Sequence, residues 1–203
     1  MTRVLFAVSG SDYWTLADGT RHPCGYWPEE LAVPHEVFAQ AGFDITIATP
    51  GAVTPTADEA GFSAAMNGGS EEPGRRYRAY LDSISGELSH PIALEDADPA
   101  DYDLVFVPGG HGPAALLPAV DQDGKWLFDG RHVTGFTNTE EEQAGFASQA
   151  RWLLEDRLSS AGGSFEQSGS PWDAHVVVDG NLYTGQNPAS SLPLARALVE
   201  ALS

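Results

Sequence analysis

The chain has 203 residues, with 29 acidic side chains against 10 basic ones and a formal net charge of -19. Its apolar fraction of 42% and aromatic fraction of 10% are those of a globular protein with a core, so the charge does not mark a disordered chain. A field this negative repels phosphate backbones and anionic bilayers, which argues against nucleic-acid binding and against a peripheral role on membranes.

Residues 3–8 form a short apolar run closed by Ser9 and Gly10, which predicts a buried parallel strand and a turn. A polar loop with aromatics leads to Trp27. Pro28 then suits the first turn of a helix over residues 29–41, with Leu31, Pro34, Val37, Phe38 and Ala41 as its apolar stripe and Gly42 as its stop. FDITIA at 43–48 reads as the next strand, and this strand–helix–strand unit predicts an α/β fold with a right-handed crossover. Residues 51–100 are rich in Gly, Pro and acids, with one helical piece at 76–84. YDLVFV at 102–107 is the strongest strand signal and runs into Pro108-Gly109-Gly110-His111-Gly112.

Beyond that loop a short helix is expected over 114–120, and a hairpin or edge region over 125–136 that includes Lys125, the only lysine. A helix over 139–160 follows, capped by Thr139 or Asn138. Glu140, Glu141 and Glu142 occupy its first turn, where the helix dipole favours acids. HVVV at 175–178 and residues 182–184 read as paired strands around Asp179-Gly180-Asn181. Residues 190–202 close the chain as an apolar-faced helix. No repeat or linker divides the sequence, which predicts one domain over residues 1–203. Neither a signal peptide nor an apolar run near the ~18 residues of a membrane span is present, so a cytoplasmic location is expected.

The glycine loop follows a buried strand, the place where open α/β sheets put their ligands. Its N–H groups either face an anion or developing oxyanion, or simply serve a turn that needs glycine. Glu30, near the start of the first helix, is either one of two glutamates favouring a helix N-terminus or a partly desolvated acid–base group. Cys24, the only cysteine, is a nucleophile only beside a base or a helix N-terminus, and otherwise a plain loop residue. His35, His111, His132 and His175 are too dispersed for a metal site. Neither GxGxxG nor GxxxxGKS occurs, and no organic, nucleotide or metal cofactor is implied.

Five strings resemble the ThiJ/PfpI superfamily: CGYWPEELAVPHEVFAQAGFDITIATPGA, YDLVFVPGGHGPAALL, and the later set GRHVTGFTNTEEEQ, WLLEDRLSSAGGSFE and HVVVDGNLYTGQNPASS. The subgroup most similar is that of the class I glutamine-amidotransferase-like proteins, which includes the glutathione-independent glyoxalase III enzymes and related heat-shock chaperones. The resemblance implies a flavodoxin-like sandwich with a mostly parallel sheet, usually dimeric. In such proteins a cysteine on a sharp strand-to-helix turn is followed by His-Gly-Pro, and a glutamate from the first helix hydrogen-bonds near the thiolate. Glu30 matches that glutamate, four residues before Pro34. Gly109, Gly110 and Gly112 match the loop that helps form the oxyanion site.

The family cysteine has no match. Val107 through Pro113 runs directly into Ala114-Ala115-Leu116-Leu117, whereas the family pattern has a helix, a strand and the nucleophile turn in between. Roughly 25–30 residues, about one helix and one central strand, are expected to be missing. His111 then stands for either the loop histidine or the histidine that follows the absent cysteine. Cys24 is a substitute nucleophile of low expectation.

The implied parent reaction converts methylglyoxal, a small 2-oxoaldehyde, to D-lactate. Without the cysteine the chain is expected to be an impaired or inactive relative. A non-catalytic binding or chaperone-like protein, and an amidotransferase-like one, are the alternatives.

Overall fold

A computed structural model describes residues 1–110 and 117–203. They fall in two compact units, one of residues 1–14, 21–113 and 195–203, the other of residues 15–20 and 114–194.

In the first unit, β1 (Arg3–Ala7) is followed by two short paired strands, β2 (Tyr13–Thr15) and β3 (Arg21–Pro23), and then by α1 (Pro28–Gln40) and β4 (Asp44–Thr49). After three 3-10 turns come α2 (Glu72–Ser83), α3 (Ser85–Leu88), β5 (Ile92–Ala93) and β6 (Leu104–Phe106). The sheet order is β5-β4-β1-β6 and every pairing in it is parallel, so β1–α1–β4 is the strand–helix–strand unit read from the sequence. β1 is the central strand. Val4, Leu5 and Phe6 are all buried, because both faces of a parallel sheet are covered. Phe6 packs edge-on against Phe38 of α1 at 5.8 Å between ring centroids, and 4.9 Å from Phe106 of β6. Among the described residues β6 ends this sheet, with no strand on its outer side.

In the second unit, β7 (His132–Val133) pairs in parallel with β8 (Ser164–Phe165), on either side in sequence of α4 (Asn138–Ala144) and α5 (Leu154–Ser160). β9 (Val176–Asp179) and β10 (Leu182–Gly185) form the expected hairpin, its tight turn made by Gly180 at φ 57° and Asn181. The core here is Trp126, Val133, Leu158 and Leu182. The last helix, α6 (Ser191–Leu202), joins the first unit from Ala195 onward, where Ala195 and Leu198 are buried.

Two expectations need correction. The single helix over 139–160 is two helices, because the chain leaves α4 through Gly145 in the left-handed region at φ 83°. Its cap is Thr137, not Asn138 or Thr139: the Thr137 hydroxyl accepts from the Glu140 N–H while Glu140 accepts from the Thr137 N–H, a capping box. Of the helix expected over 114–120, residues 114–116 lie outside the described residues. Leu117 and Pro118 form a turn and Val120 bridges to Trp126. Among the described residues no helix is long and apolar enough to cross a membrane.

Acids outnumber bases 29 to 10, so most carboxylates have no cationic partner and repel one another across the surface. Raising KCl from about 0.1 to about 1 M shortens the screening length from about 10 to about 3 Å, and folding stability is expected to gain on the order of 1 kcal/mol. Thermal melts across that series check it. A Tm that stays flat would mean that the acids are already spaced beyond mutual reach.

Candidate active site

The segment from Cys24 to Trp27 threads between two other stretches of the first unit. The Tyr26 N–H donates to the Thr56 carbonyl at 2.9 Å, and the Asp58 N–H donates to the Tyr26 carbonyl at 2.9 Å. On the other side the Trp27 N–H donates to the Gly109 carbonyl at 3.1 Å, and Tyr26 forms an antiparallel bridge with Gly110. The approach is close enough to dictate glycine. A Cβ on Gly25 would lie 2.0 Å from the Thr56 carbonyl oxygen, and one on Gly110, at φ +134°, would lie 2.4 Å from that of Gly25. Gly109 and Gly110 are thereby fixed against the entry to α1.

Glu30 is the third residue of α1, behind Pro28 and Glu29, in a helix whose cap position, Trp27, makes no side-chain cap hydrogen bond. Its carboxyl lies against Gly109: a Cβ there would be 2.6 Å from Glu30 Oε2 and 2.9 Å from Oε1. Burial against the loop, with the Glu29 charge adding, pushes the Glu30 carboxyl up to about 8. The residue keeps partial contact with solvent, and among the described residues no donor is bonded to either carboxyl oxygen.

Cys24 is buried, at 4% exposure, and its N–H donates to the Asp12 carbonyl. Burial, reinforced by Asp58 and Asp12, pushes its thiol up to about 11. A thiol so placed stays protonated near neutral pH, the opposite of what a nucleophile needs. Glu30 is not among the charges that act on it. The structure therefore brings Glu30, Gly109 and Gly110 together and gives Cys24 a separate acidic setting. His111 and Gly112 lie outside the described residues.

Two buried polar groupings escaped the sequence reading. In the first unit, His35 of α1 is 3% exposed, with Nδ1 2.9 Å from the Tyr80 hydroxyl and Nε2 3.4 Å from Glu87 Oε2. Burial holds its pKa low against the pull of Glu87. In the second unit, Glu140 is completely buried. Its Oε2 accepts from the Thr137 N–H and hydroxyl, and its Oε1 from the Trp172 N–H and the side-chain amides of Gln186 and Asn187, all at 2.8–3.0 Å. Burial alone would raise this carboxyl, but the donors from Thr137, Asn187, Trp172 and Gln186 outweigh it and hold the pKa below the ordinary value. The TGFTN and GQNPASS strings thus meet at one carboxylate. The signal available in the sequence was Thr137-x-x-Glu140, the spacing of a capping box.

A family model described as "ThiJ/PfpI family-like" matches residues 22–122. A Bos taurus protein named glutamine amidotransferase-like class 1 domain-containing protein 1 is 30% identical over 79% of this chain and 81% of its own length. Glyoxalase 3 of Candida albicans is 24% identical over 99% of this chain and 98% of its own. That alignment runs over 243 positions, more than this chain has residues, so the relative carries residues with no counterpart here. Among solved structures, the Francisella tularensis rapid encystment protein superposes with a TM-score of 0.84 at 22% identity, over the whole of both chains. With the fold, the parallel sheet and the length-wide match agreeing, this chain belongs to the ThiJ/PfpI superfamily, in the class I glutamine-amidotransferase-like group that includes the glyoxalase III proteins.

Proposed function

We propose that this chain is a glyoxalase III-type protein that takes a small 2-oxoaldehyde at Glu30, with turnover impaired because no thiolate stands in the site. The observation that carries this reading is the Glu30 carboxyl itself, raised to about 8 against the Gly109 backbone. A carboxyl poised there releases and recovers a proton near neutral pH, which is what the conversion of a 2-oxoaldehyde to a 2-hydroxy acid requires. The name of the Candida albicans relative supports the same substrate class. Against full activity stands the only cysteine, whose thiol is held protonated at about 11.

The test is incubation of the purified protein with methylglyoxal and measurement of D-lactate. A slow rate above buffer is expected. Glu30→Gln should reduce it by about 100-fold or more, to the buffer rate, since positioned acid–base groups contribute roughly that much. Cys24→Ser should leave it unchanged. No lactate from the parent protein would overturn the reading in favour of a non-catalytic binding member, the second reading that the protonated Cys24 thiol favours. A cytoplasmic homodimer belongs to the same proposal, and light scattering on the eluted protein checks the dimer.

A further inference from the structure

In thiolate chemistry on a 2-oxoaldehyde, the sulfur adds to the aldehyde carbon and makes it tetrahedral, so that a proton can be moved from that carbon to its neighbour. Water does the same in solution. The hydrate of a 2-oxoaldehyde is a gem-diol whose C1 is already tetrahedral, carrying two hydroxyls and one hydrogen beside the C2 carbonyl. A site with a proton carrier and no thiolate has a substrate available that needs no sulfur.

We propose that the Glu30 site takes this gem-diol and that the Glu30 carboxylate removes the C1 proton, exchanges it with solvent and protonates C2, with no covalent intermediate. The proposal rests on the 2-oxoaldehyde reading given above and adds to it the form of the substrate and the route.

Three observations carry it. The carboxyl lies against a backbone position that only glycine leaves open, since a Cβ on Gly109 would come within 2.6 Å of Oε2. No described residue donates to either carboxyl oxygen, and the residue keeps some exposure, so solvent reaches the group. Glu140 is the contrast within the same chain: its oxygens are saturated by five donors and it is fully buried. Finally, Cys24 is 4% exposed under the influence of Asp58 and Asp12, which removes the one sulfur that could form the adduct.

The step balances without a co-reactant. The C1–H bond breaks and the proton passes to a Glu30 oxygen. Its electron pair becomes the C1–C2 π bond, and the C2 carbonyl pair moves onto oxygen. The proton on Glu30 exchanges with solvent through the residue's partial exposure, and Glu30 then protonates C2, the electrons of the C1–C2 π bond forming the new C–H bond. A proton then passes from a C1 hydroxyl to the C2 oxygen, which leaves a carboxylic acid at C1 and a hydroxyl at C2. The product is an isomer of the hydrate.

The experiment is turnover of methylglyoxal in D2O without added thiol, followed by proton NMR with the buffer reaction subtracted. Expected is lactate carrying deuterium at C2. The rate should be the same in Cys24→Ser and Cys24→Ala, which guards against one of them failing to fold, and should fall to the buffer rate in Glu30→Gln. Lactate that keeps protium at C2 would mean an internal hydride shift or a proton transfer shielded from solvent. Lactate that forms only when 2-mercaptoethanol is added would mean a hemithioacetal substrate, and lactate lost in both cysteine variants would mean a thiolate route. Each of these overturns the proposal while leaving the 2-oxoaldehyde reading intact. Absence of lactate in every arm overturns both.

Discussion

Replacing Glu140 by alanine is expected to cost about 3–5 kcal/mol of folding stability, the largest single-residue effect outside the hydrophobic core. The side chain is fully buried and five donors point at its two oxygens. Alanine would leave the Thr137 hydroxyl, the Thr137 and Trp172 N–H groups and the Gln186 and Asn187 amides without their shared acceptor. Each buried donor left unpaired costs about 1–3 kcal/mol, offset in part where water enters. Trp172 adds to the loss, because its backbone sits at φ 68°, a strained region for a bulky residue, and its N–H bond to Glu140 helps to hold it there.

Glu140→Gln is the sharper variant. It keeps the volume but turns one oxygen into a donor facing other donors, so roughly 2–3 kcal/mol should still be lost. Urea unfolding of the three proteins reads both effects. The pH dependence follows from the direction of the shift. A carboxyl held below its ordinary value contributes stability that is fully present above that ordinary value and fades as pH falls through the lowered one. The gap between parent and Glu140→Ala should therefore be widest near neutral pH and narrow in acid. A cost below about 1 kcal/mol at neutral pH would show that water replaces the carboxylate without strain.

How far these sites could be read from the sequence depended on how local their causes are. β1, α1 and β4 were legible because each is specified by its own pattern, an apolar run or a 3.6-residue stripe bounded by Pro28 and Gly42. The break between α4 and α5 was not. Three consecutive glutamates look alike in sequence, and Glu140 is the one fully buried, chosen by Trp172, Gln186 and Asn187, which lie 32, 46 and 47 positions away. The two-residue strands β5, β7 and β8 exist only through their neighbours and carry no periodicity of their own. For Glu30, the helix position was legible and the chemistry was open. Its raised pKa comes from packing on Gly109, a contact that joins two distant segments and that nothing in the helix itself announces. Cys24 shows the same limit from the other side. Whether a lone loop cysteine is a nucleophile is decided by its burial first and then by charges such as Asp58, and here both keep the thiol protonated.

Glu30→Gln is expected to stabilise the fold in alkaline solution by about 2 kcal/mol while removing turnover. In the unfolded chain this carboxyl loses its proton near its ordinary value of 4.5, whereas in the folded protein it holds the proton up to about 8. Below the ordinary value both states are protonated and the residue costs nothing. As pH rises between the two values the unfolded state ionises first, so the parent loses stability steadily, and above about 8 the loss is complete. The full shift would amount to roughly 5 kcal/mol at about 1.4 kcal/mol per pH unit, and the partial solvent contact of the residue brings that down to about 2. Glutamine does not titrate, so the two proteins should have similar unfolding midpoints near pH 5 and diverge up to about pH 9, with the variant the more stable. A carboxylate placed for structure would behave in the opposite way, as Glu140 does: its amide would be the weaker protein at neutral pH. Stability lost in order to keep an acid next to a glycine backbone is the mark of a group retained for what it does to a ligand, and the sign of this one difference separates the two roles.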